Sequence, residues 1–381
     1  MTRQLRKVYV ALFLALLLLL GALSVKGLGS FDAPPDSSVV DGKLTRALES
    51  HYDQQFPVKR LGTNVWAALE YMLFGTGRPG VVVGLEQWLF SDEEFKPVVN
   101  AERNIDDNWA LIRGVRDELA KRDIRLVLAI VPAKNRLYPE YMGDNRPTAL
   151  RDELFQQFHN QASEAAIVAP DLLTPLRRTK QQGPVFLRTD THWTPLGAEV
   201  VAQQLGKAIR SQALLNAEPT PFVTEVGAEK KLEGDLITFL PLDPLFADLL
   251  PPPDVLQQRT THKAQSAADA DLFGEEQIPV ALVGTSYSAN PDWNFDGALR
   301  EALMSDLTNH AESGRGPMLP MLKYLQSDDL RDHPPQVVIW EYPERYLPMT
   351  NDLSDFDPSW IARLKNGQAE RQQLAKYLHE Q

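Results

Sequence analysis

At 381 residues the chain is long enough to bury a full hydrophobic core, as one large domain or two smaller ones. Its formal net charge of −12 argues against a nucleic-acid binder, so any anionic ligand needs a local basic patch. With no cysteine it has no disulfide, no thiolate nucleophile, no thiolate zinc site and no lipid-modified cysteine.

Arg3, Arg6 and Lys7 make a basic start, and an uncharged run from Val8 to Val25 follows. This reads as a secretory signal, long enough to span a bilayer with residues 1–7 held in the cytoplasm. The expectation is an uncleaved signal anchor over 8–25, with cleavage after a small-residue site such as Ala22-Leu23-Ser24 as the alternative. Either way the rest is exported to the periplasm or an equivalent space. Residues 27–42, rich in Gly, Pro, Ser and Asp, read as a linker to a single domain over 43–381. Helices are expected near 43–54 and 60–74, and short strands about a Gly-centred turn in "PGVVVGLEQWLF" (79–90).

From about residue 100 the pattern becomes α/β. Ile105, Trp109, Ile112, Val115 and Leu119 recur at helical spacing, and "RLVLAIV" (125–131) is an apolar run suited to a strand covered on both faces. A helix fits 149–164, and short strands fit "AIVAP" and "PVFL" (184–187). Another helix starts at Thr194-Pro195, with threonine as cap and proline at the first position. Signals weaken between 212 and 276, and 250–276 reads as a mobile excursion. "IPVALVG" (278–284) and "PQVVIW" (335–340) are further buried strands, and an amphipathic helix near 358–379 closes the chain. Helices alternating with apolar strands predict a three-layer α/β/α sandwich around a mainly parallel sheet.

In such sheets the working surface lies at the carboxyl ends of the strands. Gly284-Thr285-Ser286 follows strand 278–284, placing a serine on a turn like a nucleophile elbow. A serine hydroxyl needs a base, histidine titrates in the right range, and the imidazole needs a carboxylate to hold its tautomer. Asp190 and His192, in "LRTDTHWTPLGA" after candidate strand 184–187, can supply both. Ser288 is the rival nucleophile. The bland readings are an Asx-turn aspartate, a pre-helix surface histidine and a structural serine. A metal site on Asp190 and His192 is a poor alternative, since the other six histidines show no ligand-like spacing.

"DTHWTPLGAEVVA" and "LVGTSYS", with "VPAKNRLYPEY" and "WLF" upstream, resemble the SGNH/GDSL-like acyl-handling domain of bacterial alginate O-acetyltransferases, over roughly residues 80–345. The motif order is permuted relative to ordinary GDSL enzymes, Asp-x-His preceding the serine. The anchor, and the lack of room for a separate carbohydrate-binding domain, resemble the AlgJ rather than the AlgX branch. The resemblance implies Ser286 as nucleophile, His192 as general base and then acid, and Asp190 as orienting carboxylate, with no cofactor and no metal. It also implies acetyl transfer to polymer hydroxyls through an acetyl-serine ester, and an acetyl donor that is a membrane-bound O-acyltransferase. Other alginate acetylation and export proteins would be partners. An acetylesterase, a non-catalytic subunit of an export complex, or action on another polymer such as cellulose are the alternatives.

An anionic polysaccharide offers carboxylates and sugar faces, for which cations and aromatic rings are suitable contacts. Lys134, Arg136 and Tyr138 after strand 125–131, and Arg345 after strand 335–340, are the candidate substrate-binding residues. Their bland reading is that the cations pair with Glu140, Glu341 or Glu344 to hold loops.

Overall fold

The computed structural model describes residues 3–35, 38–55, 57–264 and 278–366, which divide into two compact units. The smaller unit combines residues 1–78 with 238–250. Its first helix, Arg3–Leu28, contains the stretch Gln4–Leu23, whose mean hydropathy is 2.0 and of which no part is buried. By length and composition this stretch suits a signal anchor or a signal peptide.

Helices Lys43–Gln55 and Pro57–Phe74 follow, close to their expected positions. Asn64 of the second donates to the carbonyls of Pro241 and Asp243 at 2.6 and 3.1 Å, and the Arg78 N–H donates to the Phe239 carbonyl at 2.9 Å. Within the span expected as one domain, 43–381, residues 43–78 group with 238–250. The covered face of helix Pro57–Phe74 is small and polar, centred on Asn64 and Ala68, and holds the 238–250 segment through hydrogen bonds.

The larger unit runs over 79–237 and from 251 onward. It opens with a hairpin of β1 (Val81–Val83) and β2 (Leu89–Ser91), then helix Ala101–Ala120 and β3 (Arg125–Val131). After helices Ala149–Glu164 and Pro195–Ser211 come β4 (Phe222–Leu232) and β5 (Asp254–Lys263), an antiparallel pair with a bulge between Val226 and Glu229. β6 (Val280–Val283), β7 (Leu307–Asn309) and β8 (Val337–Pro343) complete the set. The central sheet has the order β3-β8-β6-β7 with every neighbouring pair parallel.

Alternation along these strands builds the three layers, because successive side chains point to opposite faces. Val127, Ala129, Val131, Leu282 and Ile339 meet helices Pro195–Ser211 and Phe295–Leu303 in one core. Leu126, Leu128, Ile130, Val283, Val338 and Trp340 meet helices Ala101–Ala120, Ala149–Glu164 and Met318–Leu325 in the other. Burial on both faces is why the strands read as unbroken apolar runs.

Three local expectations change. "AIVAP" and "PVFL" are not strands but single bridges, Val127 to Val168 and Phe186 to Trp193. Within the proposed mobile excursion 250–276, Asp254–Lys263 is an ordered strand, while 265–277 lie outside the described residues. The closing helix is present over 358–366, and the remainder of its expected span lies outside the described residues.

Candidate active site

β6 ends at Val283, and the chain turns at Gly284. A Cβ at Gly284 would lie 2.5 Å from Glu341 Oε2 and 2.8 Å from Glu341 Cβ, so glycine is what lets this turn lie against β8. Thr285 caps the four-residue helix Ser286–Ala289, its hydroxyl accepting from the Tyr287 N–H at 3.3 Å. Ser286, the first residue of that helix, is half-buried, and its N–H donates to no protein acceptor among the described residues.

The facing loop, 188–194, is tied from several directions. The N–H groups of Arg188 and Thr189 donate to the Asp254 carboxylate at 2.9 and 2.8 Å, and that of Thr191 donates to Asp235 Oδ1 at 2.9 Å. The Tyr287 hydroxyl donates to the Thr191 carbonyl at 2.5 Å. Gly234 permits the close approach of the Asp235 segment, since a Cβ there would meet the Thr189 carbonyl oxygen at 2.1 Å. At the loop's end Thr194 caps helix Pro195–Ser211 by accepting from the Gly197 N–H, as the sequence indicated.

Within this frame, His192 Nδ1 lies 2.6 Å from Asp190 Oδ1, and His192 Nε2 lies 2.7 Å from Ser286 Oγ. A carboxylate only accepts, so Nδ1 carries a proton and the neutral ring presents the Nε2 lone pair to the serine hydroxyl. Asp190 also accepts from the His192 and Asp235 N–H groups, each at 2.9 Å. Burial alone would raise the Asp190 carboxyl. The hydrogen bond and charge of His192, with those two N–H groups, outweigh burial and hold it below the usual carboxylate range. Trp293 stacks on the imidazole, with ring centroids 5.3 Å apart and planes at 23°, and its indole N–H donates to the Ser286 carbonyl at 3.2 Å. One tryptophan thus touches both the histidine and the serine.

The rival serine is differently placed. Ser288 is buried and its hydroxyl donates to Glu341 Oε2 at 3.0 Å, so it points back into the protein. Glu341 also accepts from the Thr285 N–H at 2.7 Å, and burial pushes its carboxyl up. Asp190, His192 and Asp235 could in principle offer ligand atoms to a metal, all within 4.8 Å of one another. Their carboxylate oxygens, however, each already accept from protein donors: Thr191 donates to both oxygens of Asp235, and His192 and Asp235 donate to those of Asp190.

Each of the four residues expected to contact substrate is engaged within the protein. Lys134 is wholly buried, its ammonium donating to the carbonyls of Leu89, Arg188 and Asp190 at 2.6, 2.9 and 2.9 Å, and burial pushes its pKa down to about 8. Arg136 donates to Glu344 and to the carbonyls of Asp152 and Arg151. The Tyr138 hydroxyl is buried and accepts from the Val185 N–H at 2.9 Å. Arg345 donates to Glu93 and to the Tyr287 hydroxyl, both at 3.0 Å. In each case the polar atoms named are engaged by partners inside the protein, which favours a part in holding the loops. Residues missed in the sequence, Asp235, Asp254, Tyr287 and Trp293, are those that hold the loops. The adjacent Gly234 is the one local sign that Asp235 sits at a close approach.

A family model described as "SGNH hydrolase-like domain, acetyltransferase AlgX" matches residues 81–344. The chain belongs to this SGNH hydrolase-like acetyltransferase family. Within it, the chain is 59% identical over 377 residues to the "Probable alginate O-acetylase AlgJ" of Pseudomonas syringae pv. tomato, covering 98% of this chain and 96% of that one. It is 55% identical over 382 residues to the protein of the same name from Pseudomonas aeruginosa, covering 98% and 97%. Among solved structures, the "O-Acetyltransferase Domain of Pseudomonas putida AlgJ" matches with a TM-score of 0.71 and 60% identity, covering 76% of this chain and all of that one. The SGNH-like match spans the parallel sheet and all three members of the Asp190–His192–Ser286 set.

Proposed function

We propose that the protein transfers acetyl groups to hydroxyls of alginate, with Ser286 as nucleophile, His192 as base and acid, and Asp190 as the orienting carboxylate. The observation that carries this is the continuous hydrogen-bonded line from Asp190 Oδ1 through the imidazole to Ser286 Oγ, in a chain whose relatives bear the name alginate O-acetylase.

In the first half-reaction Ser286 Oγ attacks the donor's acetyl carbonyl while its proton passes to His192 Nε2. The tetrahedral intermediate collapses, the leaving group takes that proton, and an acetyl-serine ester remains. A sugar hydroxyl then gives its proton to His192 and attacks the ester. Collapse releases the acetylated sugar and returns the proton to Ser286. Asp190, held ionised, stabilises the imidazolium that forms in both halves. The N–H of Ser286, which has no acceptor among the described residues, is one donor for the oxyanion. Water in place of the sugar would give hydrolysis by the same residues, so transfer depends on the bound acceptor excluding it.

The apolar N-terminal helix supports a periplasmic site of action with the chain tethered to the inner membrane. Acetyl would then arrive from a membrane-bound O-acyltransferase, beside other proteins of the alginate machinery. The test is complementation of cells lacking this protein, with acetyl content of the secreted polymer as the readout. The unchanged chain restores acetylation and Ser286→Ala, present at equal level, does not; full acetylation by Ser286→Ala contradicts the proposal.

A further inference from the structure

Helix Pro57–Phe74 is amphipathic in the opposite sense to a helix covering a core. Its buried positions are Asn64 and Ala68, each 2% exposed, and the polar Asn64 is used inward on the carbonyls of Pro241 and Asp243. Its outward positions are apolar: Leu61, Val65, Trp66, Leu69, Met72 and Leu73 are between 39% and 69% exposed. At helical spacing these six fall within an arc of about 140°. Thr63, Glu70 and Tyr71, the other polar residues of this stretch, lie outside that arc and are half-buried. A contiguous apolar face of this kind marks an interface.

The same unit supplies the argument for what covers it. Its first helix holds the one stretch among the described residues that is long and apolar enough to cross a bilayer, Gln4–Leu23. A lipid surface is therefore within reach of the segment that follows. The details of the second helix suit that surface: exposed Lys59 stands near its start, and Trp66 stands at the margin of the apolar arc, where an indole can lie at headgroup level.

We propose that helix Pro57–Phe74 lies in the membrane–water interface, with Leu61, Val65, Leu69 and Met72 set into the lipid boundary of the bilayer that the N-terminal helix enters. This goes beyond the acetyl-transfer chemistry and rests on the anchor reading of that first helix. The helix is then a second membrane contact, parallel to the surface, and it carries no part of the reaction itself.

The absence of cysteine makes the test direct, since single-cysteine variants of the full chain take one label each. Val65→Cys, Leu69→Cys and, as an exposed polar reference on helix Ala101–Ala120, Glu102→Cys are labelled with a nitroxide. Each is reconstituted in phosphatidylethanolamine–phosphatidylglycerol vesicles, with circular dichroism to confirm the native fold. Labels at 65 and 69 should collide several-fold more with oxygen, and several-fold less with a water-soluble nickel chelate, than the label at 102. Equal access of the chelate to all three positions overturns the proposal. So does strong spin–spin broadening at 65 and 69, which would place a second copy of the chain on the face. Carbonate washing of the same vesicles judges the anchor separately: a chain stripped by carbonate loses the anchor reading, while the collision pattern before washing still decides the helix.

Discussion

Two groups of polar side chains lie near the carboxyl ends of the parallel strands and are engaged differently. His192 and Ser286 form a pair with the serine half-buried, its hydroxyl facing an imidazole nitrogen whose proton has been placed on the far side. Lys134, Arg136, Tyr138 and Arg345 carry chemistry equally suited to a substrate, yet their polar atoms end on carbonyls, carboxylates and N–H groups of the protein. On the proposed function the first group reacts and the second holds loops, and the visible difference is that the second is tied to the protein's own backbone and carboxylates.

The largest expected effect comes from removing the reactive member. Ser286→Ala should lower acetyl transfer by about six orders of magnitude in kcat, leaving only what binding and oxyanion donors provide. Asp190→Asn should lose about four orders, because an amide can donate to the imidazole and favour the wrong tautomer. Steady-state assay with an activated acetyl ester measures both, and near-normal rates in either variant would erase the distinction between the two groups.

The supporting group should fail differently, in stability before chemistry. Lys134→Met leaves three buried carbonyls without their donor and should reduce unfolding free energy by about 2 kcal/mol at neutral pH. Its pH dependence sharpens the point. The folded-state pKa of Lys134, about 8, lies below its ordinary value of 10.5, so between these pH values the unfolded chain binds the proton more tightly. Raising the pH through that window therefore favours the folded state of the unchanged chain and does nothing through position 134 of the variant. Urea unfolding at pH 7 and pH 10 should show the stability gap between the two widening with pH; a gap that narrows contradicts the buried-ammonium account. The smallest effect is expected at Ser288→Ala. Its hydroxyl serves Glu341, so transfer should stay within about threefold of normal while stability falls by about 1 kcal/mol.

The same distinction explains what could be read in the sequence. The strands over 125–131, 278–284 and 335–340 were visible because both their faces are buried and their apolar runs are unbroken. Ser286 was visible because it follows the strand end at Val283, and Asp190 and His192 because their residue types suit nucleophilic chemistry, although the strand expected before them is only a bridge. The β4–β5 pair was not, since its residues are largely exposed and polar and its partner strand is far along the chain. β7 is three residues long and gave no period to detect. The burial of Lys134 and Arg345 could not be read, because burial of a cation leaves no local sequence mark. Their partners, the carbonyls of Leu89 and Asp190 or the side chain of Glu93, are brought by the fold from distant segments.

The most direct measurement is mass spectrometry of the protein after brief exposure to an activated acetyl ester without acceptor. The account predicts one acetyl group, on the peptide carrying Ser286, retained in Ser288→Ala and lost in both Ser286→Ala and His192→Ala. An adduct found on Ser288 instead, or formed at the unchanged rate when position 286 is alanine, would contradict it.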